Sequence, residues 1–194
     1  NLFNTEESTL VFFENILDEV MALFPGEYIH LGGDEAVKDQ WRASPRTQER
    51  MREVGVETED QMQSWFIARL ERHLNAHGRR MIGWDEILEG GIAPNATVMS
   101  WRGVAGAIEA ARLGHDTVMS PAPILYLDHR QSAADGEPGR IEPMTLERVY
   151  TFNPTPEEMN AEQAARVLGV QANIWTEHMR DEARVEHQAF PRAS

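Results

Sequence analysis

The chain of 194 residues contains no cysteine, so neither disulfides nor thiolate metal ligands contribute to its stability or chemistry. No apolar run comes near the roughly 18 residues that a membrane-spanning helix needs. The first residues, Asn1-Leu2-Phe3-Asn4, lack the basic and apolar regions of a signal peptide and read as a chain entered partway through a domain. Basic residues are few: 18 Lys and Arg stand against 32 Asp and Glu, giving a net charge of −14. That balance argues against a polyanionic partner such as nucleic acid, whose binding depends on Lys and Arg neutralising phosphates. A neutral ligand such as a sugar is compatible with it. Low-complexity segments and short repeats are also missing. What is present is a hydrophobic share of 41%, enough for a folded core, in a length suited to one domain, residues 1–194. Asn95-Ala96-Thr97 fits the glycosylation triplet, but three residues carry no inference. None of these absences decides the cellular compartment.

Apolar periodicity organises the rest. Leu10, Phe13, Ile16, Leu17, Val20, Met21 and Phe24 recur at helical spacing over residues 6–24, with Thr5 and Ser8 offering cap chemistry at the start. Pro25-Gly26 ends that helix, and Tyr28–Leu31 reads as a short buried strand running into Gly32-Gly33. The unit repeats. Residues 61–74 form a second amphipathic helix, and strands follow at 80–84, 97–101, 116–120 and 170–175, with a helix at about 104–113. Strands alternating with helices imply parallel pairing through right-handed crossovers. The stretch 121–156 is long and rich in Pro, Gly and Asp, as an elaborated functional loop is.

Polar or aromatic residues stand just past the C-terminal end of every strand: Asp34-Glu35, Trp84-Asp85-Glu86, Trp101-Arg102, Tyr126 with Asp128, and Trp175 with Glu177. In a parallel (β/α) barrel those ends converge on one face, where such folds keep their active sites. A doubly wound sheet would gather them only near a switch point. The pattern therefore favours an α/β fold of the TIM barrel type.

A bare Asp-Glu pair is usually a solvated helix start. Here Asp34-Glu35 follows a buried strand and a glycine turn, a placement that suits catalysis better. Adjacent carboxylates oppose each other's ionisation, which would equip one of them as a general acid. Trp84, Trp101 and Trp175 occupy equivalent strand-end positions, whereas Trp41 and Trp65 fall elsewhere. One indole alone is ordinary core material. Three at one mouth make a flat-walled pocket on which the C–H faces of a pyranose stack. Tyr126 and Asp128 alternate so that both face one side, and a carboxylate such as Glu177 at a rim suits sugar hydroxyls.

These segments carry a resemblance. His30-Leu31-Gly32-Gly33-Asp34-Glu35 resembles the H-x-G-G-D-E signature of family 20 glycoside hydrolases. Residues 83–86, 100–103, 126–128 and 169–177 match the later motifs of that family in order. The resemblance implies a β-N-acetylhexosaminidase that removes terminal N-acetylglucosamine or N-acetylgalactosamine from glycans or chitooligosaccharides, with no cofactor and no metal. It makes Glu35 the acid/base and gives Asp34 and Tyr126 the substrate's 2-acetamido group. Trp84, Trp101 and Trp175 would enclose that group and the sugar ring, while Asp128 and Glu177 would hold outer hydroxyls. The acetamido oxygen is the nucleophile in such enzymes, which are an exception to the two-carboxylate scheme.

The family also takes a sugar-binding Arg, an Asp and a His from its first three barrel strands, and here only a helix precedes the Asp34-Glu35 strand. The resemblance thus implies a partial barrel of about five strands, the fourth to the eighth, without the first three β/α units. It implies an inactive chain that self-associates through the open edges at 28–31 and 170–175. Two other readings compete: a barrel that binds N-acetyl sugars without cleaving them, and a metal-dependent hydrolase using His30, Asp34 and Glu35.

Overall fold

The computed structural model describes residues 2–194. The fold is α/β, and its five parallel strands follow one another in the sheet in chain order. The chain divides into two compact units, Asn1–Val98 and Met99–Ser194, each with its own packing.

In the first unit, helix α1 (Glu7–Leu23) leads into β1 (Tyr28–His30). The cap of α1 differs from the expected Thr5 and Ser8. The N-cap residue, Glu6, makes no side-chain cap, and Asn4 braces the helix entry instead, its Oδ1 accepting from the Glu6 amide at 3.0 Å and the Thr9 hydroxyl at 2.6 Å. Two short helices unforeseen from periodicity follow, α2 (Asp39–Ala43) and α3 (Pro45–Val54). The second has proline at its first turn, Ser44 accepting from the Thr47 amide at 3.2 Å, and Gly55 at φ 74° as its stop. Helix α4 (Glu59–Ala76) opens on a reciprocal capping box between Thr58 and Gln61 and leads into β2 (Arg80–Trp84). β1 and β2 pair in parallel, Tyr28 with Arg80, Ile29 with Met81 and His30 with Ile82. Leu10, Met62, Leu74 and Met81 are fully buried, each contributing about 1.5–3 kcal/mol of hydrophobic stabilisation. Trp41 joins Met51 and Met62 in a core cluster, and its indole N–H donates to the Phe3 carbonyl at 2.8 Å.

Strand β3 (Thr97–Ser100) is buried at every position, as parallel core strands are. Beyond it, the second unit holds α5 (Ala105–Arg112), β4 (Thr117–Met119), α6 (Leu146–Tyr150), α7 (Ala161–Ala164), β5 (Val167–Val170) and α8 (Glu182–Ala189). Ala107, Ala111, Met119 and Met159 form its core cluster. The fifth strand corrects the sequence reading. It spans Val167–Val170 instead of 170–175 and pairs in parallel with β4. The ladder stops there because β4 itself ends at Met119. Beyond it the Gln171 amide still donates to the Met119 carbonyl at 2.9 Å, and an isolated bridge, Tyr126 to Asn173, keeps the two segments side by side.

Candidate active site

The acid pair of the first unit is placed by a turn that only glycine can make. After β1 the Leu31 amide still donates to Ile82 at 2.9 Å, and Trp84 donates back to the Gly32 carbonyl at 2.9 Å. Gly32 and Gly33 then adopt φ of 77° and 101°, a region costly for residues with a Cβ. A Cβ on Gly33 would also lie 2.8 Å from the Ile87 Cγ2, and Ile87 is buried. Buried Gln63 fastens the turn from outside, donating to the Gly33 carbonyl at 2.8 Å.

Glu35 itself has φ of 47°, the one non-glycine residue with positive φ among the described residues. A bulky residue in that conformation stores strain, and such outliers cluster at functional sites. Its amide points to the Glu86 Oε1 at 3.5 Å. Asp34 and Glu35 are both exposed, while Asp85 and Glu86, in the 3-10 turn Asp85–Leu88, are buried. Glu86 was read from the sequence only as part of a strand-end group. The structure brings its carboxylate to the Glu35 amide, a contact that no spacing rule signals. Trp84 is half-buried and meets the edge of the His30 ring at 4.8 Å between centroids.

His30 has a structural task here. Its Nδ1 accepts from the Gly32 amide at 3.0 Å, which fixes that nitrogen as unprotonated. Desolvation of the ring lowers its pKa from the ordinary 6.5, against the opposing charge of Asp34. The ligand atoms of His30, Asp34 and Glu35 do not gather into a cluster. Among the described residues, the one group of three His, Asp or Glu side chains with ligand atoms within 4.8 Å of one another lies elsewhere, at Asp18, His73 and His77.

The second unit builds an aromatic wall. Trp101 follows β3 and is anchored through its carbonyl, which accepts from the Ala122 amide at 2.8 Å. Its ring stacks near Tyr126, with centroids 6.4 Å apart and planes at 25°, and Tyr126 lies 6.2 Å from Trp175. The Tyr126 backbone is aligned with the segment after β5. Leu127 donates to the Asn173 carbonyl at 2.7 Å, and Asn173 donates to Leu125 at 2.8 Å. Buried Asn173 also donates to the Ser120 Oγ at 2.7 Å, which in turn donates to the Gln171 carbonyl at 2.9 Å. Side-chain hydrogen bonds replace the missing strand pairing.

Asp128 is buried, and its Oδ2 accepts from Arg140 at 3.3 Å. Its Oδ1 is buried with no protein partner. An unsatisfied buried acceptor costs about 1–3 kcal/mol, and a ligand hydroxyl would remove that cost. Glu177 is exposed, in the turn closed by the Met179 amide on the Thr176 carbonyl at 3.0 Å; the structure gives it no partner in the wall.

Arg192 was missed as a functional support. It is buried and donates to the carbonyls of Leu127 at 2.6 Å, His129 at 3.0 Å, Met144 at 2.9 Å and Gln188 at 2.6 Å. The clamp therefore encloses the segment that carries Tyr126 and Asp128. Burial lowers its pKa from the ordinary arginine value, and the charges of Glu137 and Asp128 oppose that shift.

Parallel strands joined by helices, with carboxylates and indoles just beyond their C-terminal ends, are the architecture of a TIM-type α/β domain. The chain belongs to glycosyl hydrolase family 20: the catalytic-domain model of that family matches residues 1–194. It is 49% identical over 189 residues to a β-hexosaminidase of Porphyromonas gingivalis, an alignment covering 96% of this chain and 24% of that protein. It is 33% identical to a β-hexosaminidase of Vibrio furnissii, over 95% of this chain and 31% of that one. Its structure is similar to that of an exo-β-N-acetylglucosaminidase from Vibrio harveyi in complex with N-acetylglucosamine, with a TM-score of 0.91 and 32% identity, covering 100% of this chain and 31% of the other. The chain thus spans 24–31% of the length of these relatives.

Proposed function

We propose that this chain carries the acid-bearing part of a β-N-acetylhexosaminidase, which removes terminal N-acetylglucosamine or N-acetylgalactosamine with retention of configuration. The observation that carries the reading is Glu35, held in a strained backbone conformation at the end of a glycine turn with Glu86 behind its amide. A residue kept there at a cost in stability is best explained by chemistry. Identity of 49% to a β-hexosaminidase supports the same assignment.

In the proposed reaction the substrate's acetamido oxygen attacks the anomeric carbon while Glu35 gives its proton to the departing glycosidic oxygen. The bond from the anomeric carbon to that oxygen breaks, leaving an oxazolinium ion. Glu35, now a carboxylate, takes a proton from water as that water opens the ring. Asp34 stabilises the acetamido nitrogen as positive charge develops, and Tyr126 donates to its carbonyl oxygen. An internal nucleophile gains the effective molarity of a held geometry. Trp84, Trp101 and Trp175 stack on the sugar and its acetyl group, and Asp128 and Glu177 accept from outer hydroxyls. The free Oδ1 of Asp128 supports that role.

The single domain of residues 1–194 corresponds in this proposal to the fourth to eighth β/α units of the barrel. The Arg, Asp and His that the family takes from earlier strands are then wanting, so the isolated chain hydrolyses weakly or not at all. Exposed Leu168 and Val170 on β5, with Phe12 and Ile16 on α1, favour self-association of the isolated chain. A chromogenic N-acetylglucosaminide and its unacetylated counterpart test the chemistry in an active form of the protein. Only the acetylated substrate should turn over, and EDTA should leave its rate unchanged. Ready hydrolysis of the unacetylated sugar would replace substrate assistance with an enzyme nucleophile. Light scattering tests the association: a particle heavier than the 22.0 kDa chain is expected.

A further inference from the structure

We propose that Asp18, His73 and His77 form a zinc-binding site that bridges helices α1 and α4. The three ligand atoms already lie within 4.8 Å of one another. His73 and His77 stand one helical turn apart, so their side chains share a face, and Asp18 comes from the neighbouring helix. The Nε2 of His73 is 2.7 Å from Asp18 Oδ1, and the Nε2 of His77 is 4.0 Å from the same oxygen. Tetrahedral zinc with bonds of about 2.0–2.1 Å holds its ligand atoms about 3.3 Å apart. The first of these separations must open and the second close, each by under about 1 Å.

The protonation pattern also suits a metal. His77 Nδ1 lies 2.8 Å from the His73 carbonyl oxygen. A carbonyl only accepts, so Nδ1 carries the proton and the Nε2 lone pair is left for a cation. Histidines that ligate metals commonly donate their second nitrogen to a backbone carbonyl in this way. His73 donates from Nε2 to Asp18 in the metal-free state, and a shift of its proton to Nδ1 frees both groups as ligands. Nitrogen and carboxylate donors without cysteine fit zinc among the common divalent ions.

The surroundings are mixed in charge. His73 and His77 lie at the C-terminal end of α4, where the helix dipole favours a cation. Arg79 is the opposing charge. Its guanidinium is occupied by the carbonyls of Gly26 and Met21, which leaves it close but fixed. Half of the Asp18 and His77 side-chain surface is open, giving an entry path and room for water as the fourth ligand. The site precedes β1 and β2, whereas Asp34 and Glu35 follow β1, so the ion would cross-link two helices and take no part in glycosidic chemistry.

Zinc chloride titrated calorimetrically into the metal-stripped chain should bind one-to-one with micromolar affinity, weaker than a four-ligand structural site. The unfolding midpoint should rise by roughly 5–10 °C at a hundredfold excess over Kd. Asp18→Asn and His77→Gln should each weaken binding by about tenfold or more, and the double variant His73→Gln/His77→Gln should abolish it with the helical circular dichroism unchanged. Cobalt(II) in place of zinc should give the intense visible bands of a tetrahedral centre. Absence of saturable binding at about 100 µM zinc, or equal affinity in the double variant, would overturn the proposal.

Discussion

The two units hold their functional side chains by different means. In the first, the acid pair is set chiefly by its own stretch of backbone, with Gly32 and Gly33 at positive φ, His30 accepting from Gly32 and Glu35 itself in the left-handed region, and Gln63 and Glu86 add support from further along the chain. In the second, Tyr126 and Asp128 lie on a long connection. They are fixed by partners far along the chain, Asn173 through the backbone and Arg192 through buried carbonyls. Local constraint gives a stiff turn that tolerates few substitutions. Distributed constraint gives a wall whose geometry depends on groups remote from it, so damage far away should be felt at the rings.

Glu35→Gln should produce the largest effect. In an active form of the protein, turnover of substrates with poor leaving groups should fall by about 10²–10⁴. Leaving groups that depart without protonation should be much less affected, and equal losses on both kinds would remove Glu35 as the acid. Arg192→Met ranks second and strikes the distributed half. It leaves the carbonyls of Leu127, His129 and Met144 without their buried donor, at a cost of about 1–3 kcal/mol for each acceptor left unsatisfied. Amide exchange should quicken across 125–144 while residues 28–35 stay protected. Unchanged exchange at 125–130 would show that the wall is held by something else.

Gly33→Ala strikes the local half. The left-handed backbone and the 2.8 Å approach to Ile87 should together cost roughly 1–3 kcal/mol, read as a lower denaturant midpoint without a change in m-value. A neutral result would mean that the turn is softer than its dihedrals imply. The smallest effect concerns acid. The pKa of His30 lies below its ordinary 6.5, mainly through desolvation, so the folded state takes up its proton less readily than the unfolded chain does. Its contribution to stability is fully present above about pH 6.5 and is lost as pH falls through the lower folded-state value. His30→Gln keeps an acceptor for the Gly32 amide and should flatten that part of the stability–pH curve, as thermal unfolding at several pH values would reveal.

The same contrast explains what was legible in the sequence. β1 to β4 were read within a residue or two at each end, because short apolar runs closed by Gly, Pro or a polar cluster are local signals. The glycine turn and the acid pair were equally plain. Reading β5 from the apolar run through Trp175 failed, because the end of pairing is set by where β4 stops, at Met119, which lies some fifty residues away in sequence. α2 and α3 escaped notice although Ser44-Pro45 and Gly55 mark the ends of α3 in the sequence. α2 is under two turns long, and within α3 only Met51 and Val54 follow Pro45 as apolar residues, too few to show a period. Asn173 and Arg192 could not be foreseen at all, since a side chain that satisfies distant carbonyls leaves no periodic trace.

Glu35 also bears on how this position can change over time. At φ of 47°, glycine or asparagine would sit more comfortably than glutamate and would relieve about 1 kcal/mol of backbone strain. Random substitution selected only for folding would therefore drift away from the acid. Under the proposed function, selection for turnover holds it there, so stability and chemistry pull this residue in opposite directions. A more heat-resistant but inert Glu35→Gly variant would be the signature of that conflict.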